Sequence, residues 1–76
     1  MVKTLTYDGR QDKCPLPLVK TKLLLKQLKI GEQLVLKLTD AGSIQDIPKL
    51  LTKLEVPFVL KQHQTYTCLT IIKKSF

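Results

Sequence analysis

Cys14 is the residue in this chain best placed to do chemistry. It stands in Lys13-Cys14-Pro15-Leu16-Pro17, just before a run from Leu18 to Leu28 that reads as a helix. A cysteine at a helix start faces first-turn N–H groups with no intrahelical partner, and the helix N-terminus carries about half a positive charge. Both effects favour an anionic sulfur over a thiol. Cationic neighbours add to that preference. Arg10 and Lys13 are cationic neighbours in sequence. Pro15 and Pro17 remove two first-turn donors but fix the path of the chain into the helix. The N–H groups of Leu16 and Leu18 are then expected to face the sulfur. The chemistry this suits is nucleophilic attack by sulfur, and retention of an anionic sulfur species.

Other chemistries find little support. Cys68 lies inside an apolar strand and reads as a packed small side chain. There is no Cys-x-x-Cys pair, so an internal dithiol motif is absent. The one histidine, His63, falls in a turn before the last strand and would have to be brought to Cys14 to act as its base. One His and two Cys make a poor metal set. Gly9, Gly31 and Gly42 are scattered turn glycines and form no phosphate loop.

The elements that must position Cys14 follow from periodicity. Residues 2–7 alternate and are β-branched, a first strand that includes Val2 and Lys3; residues 8–13 form a polar loop. A first helix is expected from Pro15, at the first helical position, to about Lys29, with Gly31 as its stop. Leu18, Thr21, Leu24, Leu25 and Leu28 should form its buried face. Leu16, Val19 and Leu23 are left as a partly exposed strip among Lys20, Lys22 and Lys26, either a docking surface or, the preferred reading, shoulder packing. Glu32–Thr39 is a second strand. Asp40-Ala41-Gly42-Ser43 reads as a turn whose Ser43, with Asp46 three residues on, caps a second helix over Ile44–Leu54. That helix should bury Ile44, Ile47, Leu50, Leu51 and Leu54, and Pro48 suggests that its regular part starts nearer Asp46. Val56–Leu60 and Thr67–Lys74 complete the strands, with a turn at His63-Gln64-Thr65.

The order βαβαββ, with right-handed crossovers, puts both helices on one face of a sheet. The expected fold is α+β: a two-layer α/β sandwich with a four-stranded mixed sheet. Alternation leaves the strand order open. Seventy-six residues allow one domain, 1–76. Thirteen basic against six acidic residues give a net charge of +7, which suits anionic partners. Nucleic acid is the weaker candidate among these, because twelve of the thirteen are Lys and only four residues are aromatic. The longest apolar run is three residues, so no membrane span is expected, and the default compartment is the thiol-reducing cytoplasm.

The residues that now stand out together are Asp8, Arg10, Cys14, Pro15 and Pro17, then Gly31-Glu32, Asp40, Asp46-Ile47-Pro48 and the closing Ile72-Lys73-Lys74. In this spacing the chain resembles, over nearly its whole length, the TusA/SirA-like CPxP sulfur-carrier family. Gln11-Asp12 stands where that family usually has Gly-Leu, and Glu55-Val56 where it often has Gly-His. A glycine of positive φ at position 11 would leave Gln11 strained, and Asp12 adds negative charge near the sulfur. The resemblance implies a sandwich like the C-terminal domain of translation initiation factor 3. It also implies a sulfurtransferase activity: Cys14 accepts sulfane sulfur as a persulfide and relays it to a partner, with no cofactor. Arg10, Lys13, Pro15, Pro17, Asp8 and Asp46 are the expected supporting residues. The implied partners are a sulfur donor, a cysteine desulfurase or rhodanese-like protein, and an acceptor sulfur-relay protein, in tRNA modification by thiolation or in other sulfur trafficking. The alternative from composition is a non-catalytic basic module that binds RNA or an acidic protein.

Overall fold

The computed structural model describes residues 4–73. The elements run β1 (Thr4–Gly9), α1 (Leu16–Gln27), β2 (Gln33–Leu38), α2 (Ala41–Lys53), β3 (Phe58–Gln62) and β4 (Thr67–Ile72). The strand order is β1-β2-β4-β3. β1 and β2 are parallel, and β4 runs antiparallel to both β2 and β3. This is the expected two-layer sandwich with a mixed sheet. What periodicity left open is the place of β4, which inserts between β2 and β3.

Register explains the layers. Tyr7, Leu36 and Leu69 stand opposite one another across three strands, as do Leu5, Leu34 and Ile71. With Leu38 they point to the helices. Leu34, Leu36, Leu38, Leu69 and Ile71 are fully buried, and pack with Leu25 and Leu28 near α1 and Ile47 and Leu51 of α2. The opposite face carries Val35, Lys37, Cys68, Thr70 and Ile72, all half-buried.

Several boundaries moved, each for a local reason. β1 continues through Asp8 and Gly9 because these pair with Lys37 and Leu38 of β2. Val2, Lys3 and Lys74 lie outside the described residues. α1 begins at Leu16, with Pro15 as N-cap, and ends before Gly31: Leu28 is already extended (φ −75°, ψ 132°). Its last carbonyls are taken from outside the helix. Lys73, 9% exposed, donates from Nζ to the Leu28 carbonyl at 2.6 Å and the Leu25 carbonyl at 3.4 Å.

α2 starts three residues before the expected Ile44. Its N-cap is Asp40, not Ser43: Asp40 accepts from the Ser43 N–H at 2.9 Å and from Ser43 Oγ at 3.0 Å. Asp46 is therefore no part of a capping box. Pro48 lies inside this helix and has no N–H for the Ile44 carbonyl. Ile47 and Leu51 are buried as expected, Ile44 and Leu50 are half-buried, and Leu54 is 50% exposed because it caps the helix where the chain turns away. The turn is a Schellman motif, with Val56 N–H bonded to the Leu51 carbonyl (2.9 Å) and Glu55 N–H to that of Thr52 (3.1 Å). Glu55 sits at φ 58° within it. Val56 is buried by that motif, and β3 starts only at Phe58.

Candidate functional site

The parallel pair and the two antiparallel pairings bring the C-terminal ends of β1, β2 and β3 to the same end of the sheet as the start of β4. Both helices follow strands that end there, so their N-termini gather at that end. This is where α/β sheets commonly bind ligands. Cys14 lies on the β1–α1 connection at this end and is exposed.

The Cys14–Pro15 peptide is cis, and Pro15 caps α1 with φ −95° and ψ 10°. Pro17 is buried in the first turn. One expected donor is already taken: the Leu16 N–H bonds the Lys13 carbonyl at 2.9 Å. The Leu18 N–H has no backbone acceptor among the described residues.

The second helix supplies what α1 alone does not. The Cys14 N–H donates to Asp40 Oδ2 at 3.3 Å, the same oxygen that caps α2. Gly42, in the first turn of α2, lies against the cysteine. A methyl group on it would sit 3.6 Å from Cys14 Cβ, 3.9 Å from Sγ and 3.3 Å from Asp40 Oδ2. The sulfur thus stands where the positive ends of two helices meet. Asp40 and Gly42 were not singled out together in the sequence, although Asp-x-x-Ser is a capping signal in its own right. The Asp40 carboxyl is held below the usual carboxylate range, chiefly by the hydrogen bonds from Ser43, then by the Cys14 N–H and the nearby Lys13 charge.

Arg10 is engaged elsewhere. Its Nε and Nη2 each bond Asp8 at 2.8 Å, and it lies 5.7 Å from the centre of the Tyr66 ring. These bonds hold the Asp8 carboxyl down at about 2. Tyr66 stacks in turn on His63, with ring centres 4.7 Å apart, so the histidine belongs to the β3–β4 turn. The loop is tied to β1 through Asp12, which accepts from the Tyr7 hydroxyl, and to β2 through Thr39, which donates to the Arg10 carbonyl at 2.6 Å. Gln11 carries no strain: the one non-glycine residue at positive φ among those described is Glu55. A polar cleft of about 690 Å³, lined by Asp8, Arg10, Gln11, Asp12, Thr39 and Thr65, opens beside the loop. Asp46 is half-buried on the second turn of α2 and makes no hydrogen bond to the loop among the described residues. Cys68 is half-buried on the helix-free face, between Lys37 and Lys61 in register. Among the described residues no group of three or more His, Cys, Asp or Glu is placed to hold a metal ion, and no helix is long and apolar enough to cross a membrane.

Fold and site together define a class: small α+β sandwiches that present one cysteine at the junction of two helix starts. Residues 5–74 match the family model for sulfurtransferase TusA, and the chain belongs to that family. The fold is that of a crystal structure of the SirA-like protein of Desulfitobacterium hafniense, with a TM-score of 0.81 and 19% identity over 93% of this chain and 99% of that one. The chain is 45% identical over 47 residues to YrkF of Bacillus subtilis (strain 168), a protein assigned as a sulfur carrier. It is 46% identical over 44 residues to a Halobacterium salinarum protein with the same assignment. These matches take in 62% and 58% of this chain, and span a quarter (25%) of the first relative and about half (54%) of the second.

Proposed function

We propose that this chain is a sulfur carrier that bears sulfane sulfur as a persulfide on Cys14. The observation that carries the reading is the placing of an exposed cysteine against the first turns of both α1 and α2. The Cys14 thiolate attacks the outer sulfur of a donor persulfide. A new S–S bond forms at Cys14, the donor S–S bond breaks, and the donor leaves as a thiolate. The acceptor repeats the step on the outer sulfur and releases the Cys14 thiolate, so no net oxidation occurs. Partners supply proton transfer. In this reading Pro15 and Pro17 hold the turn and Lys13 adds positive charge. The Asp8–Arg10 pair shapes the loop, while Asp46, on the second turn of α2, has no bond to it among the described residues through which to act. Residues 1–76 act as one carrier domain in the cytoplasm. A cysteine desulfurase or rhodanese-like protein is the donor, and a relay towards tRNA thiolation is one acceptor route.

The test is intact mass after incubation with polysulfide. A gain of one sulfur atom is expected for wild type and Cys68→Ser, and none for Cys14→Ser. A wild type that never gains sulfur refutes the reading. RNA binding that survives Cys14→Ala and weakens steeply with salt would favour a basic binding module instead.

A further inference from the structure

The C-terminal halves of the two helices leave a groove between them, away from the end that carries Cys14. Lys22, Leu25 and Lys26 lie in the last two turns of α1, Leu50 lies in the last turn of α2, and Leu54 caps that helix. With Lys73 these residues line a cavity of about 460 Å³. That volume falls within the roughly 300–1,000 Å³ range of small-molecule sites. The apolar wall is leucine: Leu54 is 50% exposed, Leu50 is half-buried and Leu25 belongs to the core. The charged groups of the lining are all cations. Lys73 is buried, and its ammonium takes the last carbonyls of α1, those of Leu25 and Leu28. The last carbonyls of α2 are taken by the N–H groups of Leu54, Glu55 and Val56. With these carbonyls bonded, the negative ends of both helices oppose an anion less. Lys22 and Lys26 are exposed, stand one turn apart, and have no carboxylate partner among the described residues. Like charges at this spacing repel, and an anion held between them relieves the repulsion.

We infer that this groove binds an amphipathic anion, a medium-chain carboxylate, with its chain along Leu50 and Leu54 and its head between Lys22 and Lys26. The match needs both parts of the ligand. A compact inorganic anion leaves the leucine wall in water, and a cationic head on the same chain meets like charge. The size of the groove suits a small molecule and not the extended surface of a protein interface. Aliphatic walls give nucleic-acid bases nothing to stack on. The site is separate from Cys14 and stands whether or not the persulfide reading does.

Decanoate, kept below its micelle concentration, is the probe, and the backbone amide resonances of the full chain are the readout. Saturable shifts are expected at Leu25, Lys26, Leu50 and Leu54. Lys22→Gln/Lys26→Gln changes exposed positions only. It should weaken decanoate binding about fivefold and remove most of its salt dependence. Leu54→Asp, which takes away apolar wall and adds a like charge, should weaken it about tenfold. Decyltrimethylammonium, with the same chain and the opposite charge, should bind wild type about tenfold more weakly than decanoate. If Leu54→Asp loses the amide dispersion of the folded chain, the lysine variant and the cationic probe decide. Absence of saturable shifts with decanoate overturns the inference. So does equal affinity for the cationic probe, or unchanged binding in the lysine variant. Phosphate that moves the same amides as strongly as decanoate would reduce the groove to a simple anion site and overturn it too. Shifts centred on Leu16, Val19 and Leu23, which are 43%, 47% and 52% exposed, would mark non-specific apolar adsorption and overturn it as well.

Discussion

Replacing Glu55 with glycine should stabilise the protein. Glu55 occupies the left-handed position of the Schellman turn at φ 58°, where its Cβ is crowded. The left-handed conformation costs an L-residue about 1–2 kcal/mol, which glycine avoids. Glycine gives back roughly 0.5–1 kcal/mol through the greater freedom of its unfolded chain. The balance is a gain of about 0.5–1 kcal/mol, or a rise of about 3–6 °C in Tm for a domain of this size. Urea unfolding measures it: the midpoint should rise with the slope unchanged. Glu55→Ala separates the cause, since alanine keeps the crowded Cβ and should leave the midpoint near wild type. If Glu55→Gly lowers the midpoint, or Glu55→Ala raises it equally, backbone strain is not what this position stores.

At the other end of the same helix, Gly42→Val should slow polysulfide loading of Cys14 by about tenfold with little loss of fold, because bulk there meets Cys14 and Asp40. Mass spectrometry against time and far-UV circular dichroism check both halves. Asp40→Ala should lower the thermal midpoint at neutral pH. The lowered Asp40 pKa contributes stability that is present above the ordinary carboxylate range and lost as pH falls through the folded value, so this variant should also flatten the acid limb of the stability curve. The Tyr7 hydroxyl, pushed up to about 12 by burial and then by Asp12, should be the late phase of a phenolate absorbance titration. Asp12→Asn should bring that phase down. Stability linked to this raised pKa is complete below the ordinary tyrosine value and lost as pH rises through about 12. Leu36→Ala, at the centre of the buried sheet, should cost about 2–5 kcal/mol by denaturant unfolding.

The alternation of Leu34, Leu36 and Leu38 and the helical spacing around Leu25 made both layers legible, because burial is written directly into periodicity. Strand neighbours were not, because alternation says which way a side chain points and nothing about who stands beside it. Asp40 was misread for a definite reason. Ser43 with Asp46 three residues on mimicked a capping box, and Pro48 suggested a still later start, whereas the helix absorbs the proline and begins at Ala41. At the site, the proline bracket marked Cys14, since its logic is local. Its second partner, the first turn of α2, lies 26 residues on, and only folding reveals it. Leu54 was misplaced because periodicity continues on paper past the point where the chain turns.

The shared hydrogen bonds of Asp40 bear on how far the sulfur can travel. One carboxylate oxygen holds both the backbone at Cys14 and the start of α2. Pulling the cysteine outward would therefore fray a helix that packs into the core. The backbone that bears the thiol is thus tied to a corner of the fold and not to a free arm. If Cys14 carries sulfur as proposed, much of the reach would come from the partner's side. On the sulfur-carrier reading proposed above, a donor or acceptor would need a wide, shallow mouth or a mobile cysteine of its own, and a narrow tunnel to a buried acceptor would not admit Cys14.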